Sequence, residues 1–225
     1  MDETKILETE AVEETEEIEE DEEVEVVGPK KSFGKQLISK DVFAFSVRDI
    51  AEMGILCAIA VILDTFVKFK MKSFDAGSIS FAMLPLFIIT LRQGWFKGFI
   101  SGAIIFGLLT CVIDGHGFHT YPLDYFVGFG SVAILGVFKP LIIDDNYNIT
   151  WHSYVFSAIG IFAAYVIRFI AATIDGVLFY VPTIGASMIE NAPNIFVSFL
   201  ITCALFEGLL INILKAFRAH NTKSL

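Results

Sequence analysis

Gly98-Phe-Ile-Ser-Gly-Ala-Ile-Ile-Phe-Gly-Leu-Leu-Thr-Cys-Val-Ile113 runs without a charge between Lys97 and Asp114. As a helix this stretch measures about 24 Å, most of the ~30 Å hydrocarbon core of a bilayer. It has neighbours of the same kind. Residues 48–66, 79–91, 122–138, 154–174 and 195–217 are also apolar, and almost every charge between residues 48 and 217 falls in the gaps. An ordinary soluble core does not hold that density of Ile, Leu, Val, Phe and Gly. The pattern predicts an all-α integral membrane protein, a bundle of six transmembrane helices. Segment 79–91 is short for a span, which predicts a tilt, a kink at Pro85 or an extension by loop residues.

The net charge of −10 is misleading, because it resides in the N-terminus. Residues 1–27 hold 14 Asp/Glu and one Lys; the rest of the chain holds 15 Lys/Arg and 12 Asp/Glu, a balance of +3. Such a tail cannot bury enough apolar surface to offset its ordering entropy. The expected organisation is a disordered acidic tail with a basic juxtamembrane stretch over 1–40, followed by a six-helix membrane domain over 41–225. The acidic N-terminus has no basic region and no apolar core of a secretory signal. Cys57, Cys111 and Cys203 lie far apart inside apolar segments, with no metal-binding spacing, and are expected to be free thiols.

Six spans place both termini on one side. Lys30, Lys31, Lys35, Lys40, Arg48, Arg92, Lys97, Lys139, Lys215, Arg218 and Lys223 then share that side, against Lys68, Lys70 and Lys72 on the other. The positive-inside rule makes the first side cytoplasmic.

Gly54-Ile-Leu-Cys-Ala58 is a small-xxx-small pattern, which lets another helix approach closely, either within the bundle or from a partner. Gly98, Gly102 and Gly107 read as internal packing positions. Ionisable groups inside spans are costly and tend to face a cavity or a partner. Asp124 and Tyr125, Asp175 and Tyr180, and Glu190 and Asn191 all fall at the outer ends of their segments. Convergent polar groups with aromatics at the mouth of an apolar bundle describe a small-molecule site; interfacial caps and belt tyrosines are the other reading. Arg168, seven residues before Asp175, reads as a structural ion pair, and the role of Glu207 stays open. His116 and His119 give only a weak HxxH signal, so no metal is expected. No zincin motif, no GxSxG and no phosphate-cradling loop occurs. The chain therefore reads as a non-enzyme with no cofactor, no nucleic-acid partner and no ATPase of its own.

The run Gly77-Ser-Ile-Ser-Phe-Ala-Met-Leu-Pro85, then Leu91-Arg-Gln-Gly94 and Lys97-Gly98, resembles the substrate-binding S components of energy-coupling-factor (ECF) vitamin transporters. Ser101 to Leu109, Pro122-Leu-Asp-Tyr125 and Arg168-x-x-x-Ala172-x-x-x-Gly176-Val-Leu-Phe-Tyr180 are most similar to the thiamine-specific branch. The resemblance implies a prokaryotic plasma-membrane protein with cytoplasmic termini. Such a protein captures thiamine or a related vitamin or precursor at the outer face. It delivers it through a membrane T component and two ATPase subunits. The resemblance also implies that Gly54 and Ala58 dock on the T component and that Asp124 and Tyr125 hold the ligand, joined by Tyr180, Asn191, Glu190 and Asp175. The branch usually has His at Ala172, Trp at Tyr180 and Tyr at Glu190. A stand-alone ion-coupled transporter and an S component for a different vitamin are the alternatives.

Overall fold

A computed structural model of the chain describes residue 37 and residues 40–67, 79–143 and 150–221. The acidic tail and Lys68, Lys70 and Lys72 lie outside the described residues. A one-turn helix, Lys40–Phe43, precedes six main helices. These are α1 Val47–Phe66, α2 Met83–Gln93, α3 Trp95–Asp114, α4 Tyr121–Ile142, α5 Trp151–Phe179 and α6 Ile184–Asn221. Helices α3 to α6 are each long and apolar enough to cross a membrane. Helix α1 matches them in length but carries Arg48, Asp49, Glu52 and Asp64.

Ser46 starts α1 through a capping box. Its hydroxyl accepts from the Asp49 N–H and the Asp49 carboxylate accepts from the Ser46 N–H, both at 3.1 Å. Only one stripe of α1 is buried, Met53, Cys57, Ala60 and Asp64, so this helix touches the bundle along one side. An ion-pair network fixes its first turns. Lys97 reaches Asp49 at 2.8 Å, and Arg92 reaches Glu52 at 2.8 Å. Lys97 is buried there, and the charge is tolerated because Asp49 pairs with it and the Phe45 ring lies 5.6 Å away.

The short second segment has a physical explanation. Helix α2 is apolar on all sides and buries Met83, Leu86, Phe87, Ile89, Thr90 and Leu91. It is a core helix inside the bundle, so its length of about 16 Å need not match the bilayer. Pro85 lies in its first turn, where the missing N–H costs nothing, and produces no mid-helix kink. The strand-like approach to α2 is tied down by polar groups. Ser80 donates from its hydroxyl to Asp64 at 2.6 Å and from its N–H to the Ser198 hydroxyl at 3.2 Å. Irregular backbone at this depth survives because protein, rather than lipid, satisfies it. Gly94 (φ +99°) ends α2 and turns the chain into α3, a conformation suited to glycine.

Helices α3 and α4 each contain a π-helical stretch, Ile100–Phe106 and Tyr121–Val127, and the two stretches meet. A Cβ on Gly102 would overlap the Phe129 carbonyl, and one on Gly98 would overlap Thr90, so the glycines do serve internal packing. The Tyr121 hydroxyl donates to the Ala103 carbonyl at 2.9 Å across the same contact. Gly136 of α4 lies so close to α3 that a Cβ would overlap the Trp95 backbone. Gly136→Ala is therefore expected to destabilise the protein by about 1–3 kcal/mol, because backbone cannot move aside as a side chain can. Gly208→Ala, where a Cβ meets nothing within 4 Å, is the control. Melting temperatures in detergent check both.

Helix α6 corrects the sequence reading. It begins at Ile184, not near residue 195, and runs through Pro193. Glu190 and Asn191 therefore lie in its early turns and not in a preceding loop. Pro193 frees the Ile189 carbonyl of its i+4 donor, and on the same turn the Asn194 side chain donates to the Glu190 carbonyl at 3.2 Å. Helices α5 and α6 are joined by Tyr165 to Thr202 at 2.8 Å and by Ser157 to Glu207 at 2.6 Å.

Candidate functional site

The two ends of the bundle differ in charge. Arg48, Arg92, Lys97 and Lys139 gather at one end. Aspartates gather toward the other. Asp124 sits on the π-helical stretch of α4, where the wider turn re-aims side chains and often marks function. The charges of Arg168, Asp114, His116 and Asp64 all act on it, and so it lies where α1, α3, α4 and α5 converge.

Each neighbour is placed by its own local structure. Asp114 is the last residue of α3, ahead of Gly115 in the left-handed region (φ +70°). It accepts from the Tyr125 hydroxyl at 3.1 Å. Tyr125 is itself buried, with its ring near Phe129, so it reaches the site through Asp114 and not with an open face. Asp175, near the end of α5, is buried, and its Oδ1 has no hydrogen-bond partner. Tyr180 caps α5, is exposed, and lies edge-on to His116 at 6.2 Å. Partial burial and the charges of Asp175 and Asp124 hold its phenol above the ordinary range, leaving a neutral donor. His119 packs edge-on against Phe179 at 4.7 Å.

On α6, Asn191 donates to the Ser187 carbonyl at 3.0 Å and to the Ala172 carbonyl at 3.4 Å. That fixes its amide nitrogen against α5. Glu190, one residue earlier, is half-buried. The structure thus draws Asp124, Asp175 and Tyr180 into one electrostatic neighbourhood, with Tyr125 beneath. Asn191 lies in the α5–α6 seam against Ala172, Gly176 and Ser187, and Glu190 is its neighbour in sequence, with no contact between its side chain and the aspartates among the described residues.

Three participants were not singled out from the sequence. Asp64 belongs to the acidic cluster, and its signal was a lone acid closing the run Ala60-Val-Ile-Leu-Asp64. Ser80 and Ser198 line a narrow gap, of about 20 Å³, together with Met83, Tyr165, Arg168 and Ile195. Arg168 corrects its expected role. Its guanidinium lies over the Phe129 ring at 4.0 Å, and no carboxylate among the described residues comes within ion-pair distance. An Arg on an aromatic face keeps its N–H donors free at the edge, directed at a cleft that also offers hydroxyls. Acidic wall, guanidinium edge and hydroxyls together suit a small cation that also carries hydrogen-bond acceptors.

On the outside of the bundle, Gly54 and Ala58 are exposed on α1 beside Ala51, and a Cβ on Gly54 would meet nothing within 4 Å. Ile50, Ile55, Ile59 and Ile62 frame them, all exposed. The small-residue face therefore does not serve packing within the bundle.

A family model described as thiamine transporter protein matches residues 50–218. The thiamine transporter ThiT of Bacillus subtilis (strain 168) is 30% identical over 173 residues, 72% of this chain and 88% of that protein. A solved structure of ThiT from Listeria monocytogenes shares the fold, with a TM-score of 0.62 at 22% identity, over 74% of this chain and 94% of that one.

Proposed function

The chain belongs to the thiamine transporter protein family, and from that premise we propose that it captures thiamine, or a close relative of it, at the acidic end of the bundle. The basic end then faces the cytoplasm, with both termini, by the positive-inside rule. The observation that carries the reading is Asp124, a carboxylate set inside an apolar bundle among other acids and one guanidinium. A cationic, amino-bearing ligand balances that charge, and the carboxylate accepts its N–H donors in a region of low dielectric.

The residues divide the work. Asp124 and Asp175 face the cation, and Arg168 with the serine cleft reads hydrogen-bond acceptors. Tyr180 closes the rim with His116. Asn191, held by its amide nitrogen, offers its oxygen, and Glu190 adds outer negative charge. Tyr125 orients Asp114. The chain acts as the S component of an ECF importer. ATP is hydrolysed by two partner ATPases, and a T component seats on the Gly54–Ala58 face of α1. The chain does no chemistry on its ligand.

Calorimetric titration of the detergent-purified chain with thiamine tests this. Calorimetry suits the case because Trp95 and Trp151 both begin helices at the basic end, remote from Asp124. Saturable one-to-one binding is expected. An absence of heat across a range of temperatures, for thiamine and its phosphates alike, would overturn it.

A further inference from the structure

We propose that Asp175 is a second anionic anchor of the ligand site and makes it selective for a ligand bearing a permanent positive charge, over neutral and phosphorylated relatives. This rests on the ligand-binding reading above and names the chemical class that the site takes.

Two acids of the cluster have partners in the fold: Asp64 accepts from Ser80 at 2.6 Å and Asp114 from Tyr125 at 3.1 Å. Asp175 differs. Only 4% of its surface is exposed, and its Oδ1 is buried without a partner. Nearby donors are already committed elsewhere. The Ser187 hydroxyl donates to the Thr173 carbonyl at 2.9 Å, and the Asn191 amide donates to Ser187 and Ala172. The contact of α5 with α6 holds Asp175 in place, since a Cβ on Gly176 would overlap the Ser187 hydroxyl. Ala172, one turn earlier, contributes only a methyl group and so no donor to Asp175. Asp175 also lies within electrostatic reach of Asp124 and Tyr180.

A buried carboxylate left unpaired is costly, and a second one beside it adds repulsion. The described groups acting on Asp124 supply one guanidinium, Arg168, and one imidazole, His116, against Asp64 and Asp114, and Asp124 in turn acts on Asp175. A bound cation relieves that imbalance. A neutral ligand leaves it unrelieved, and a phosphate ester brings further negative charge toward it. An aromatic wall would attract a cation more weakly and without excluding anions. Here charge is read by a carboxylate.

The test compares wild type with Asp175→Asn, titrating thiamine, thiamine monophosphate and the neutral thiophene isostere of thiamine. In wild type, thiamine is expected to bind most tightly. In the variant, thiamine is expected to weaken by at least about tenfold, the isostere to change by less than about threefold, and the phosphate ester to lose its disadvantage. Asp175→Ser gives the same readout if the Asn variant melts early. Parallel losses for thiamine and the isostere, or no loss for either, would overturn the inference while leaving thiamine capture intact. Wild type that binds neither would overturn the capture itself.

Discussion

Asp124→Asn is expected to weaken thiamine binding by at least about tenfold, with the melting temperature in detergent unchanged or raised. A hydrogen bond to a charged group contributes about 1.5–3 kcal/mol, and about 1.4 kcal/mol is a tenfold change in affinity. Asn keeps the volume and an acceptor oxygen but loses the charge. The fold has no reason to suffer, because the charge lies among other carboxylates, so its removal relieves repulsion within the free protein. That opposition separates a ligand-facing acid from a structural one: a structural acid loses stability and affinity together. Calorimetric affinity measured beside thermal stability checks both halves, and unchanged affinity removes Asp124 from the site. Asp114→Asn is the informative comparison. Its carboxylate holds the Tyr125 hydroxyl, so stability is expected to fall along with affinity.

The contrast between those two aspartates shows where sequence reading stops. Both are acids at the outer end of a span, and nothing in their neighbours says that one holds a buried tyrosine. Hydropathy carried the number of helices, because membrane insertion averages over many residues and tolerates local irregularity. It failed at the start of α6, where Pro193 and the polar pair Glu190-Asn191 resemble a boundary. The helix continues because the proline costs one ladder bond, while the turns beyond it are held to α5 through Thr202 and Glu207. The π-helical stretches left no legible mark, since a single wide turn changes a register without changing composition. They nonetheless decide which way Asp124 points. Gly102 was legible as a packing position, since a glycine inside an apolar span has few other uses. Arg168 was misassigned, because an arginine seven residues from an aspartate on one helix looks paired. Its true neighbour, Phe129, comes from another helix, and only the fold could supply it.

Enlarging the outward face of α1 is expected to abolish transport while sparing capture. Gly54→Leu combined with Ala58→Leu adds branched side chains where a Cβ meets nothing in the bundle, so the fold and the ligand site are untouched. Thiamine affinity is then expected to stay within about twofold. A partner helix seated on that face would be pushed outward. In lipid no hydrophobic force compensates, because the tails are as apolar as leucine, so close packing through small residues carries the association. Losing about 1.5–3 kcal/mol of such packing lowers ATP-driven uptake at least tenfold in vesicles that also contain the T component and the ATPases. The split between intact binding and lost uptake follows from the geometry, with Asp124 inside the bundle and Gly54 on its exterior. A stand-alone, ion-coupled transporter makes the opposite demand. It would take up thiamine in vesicles holding this chain alone, and it would be indifferent to leucines on an unpartnered face.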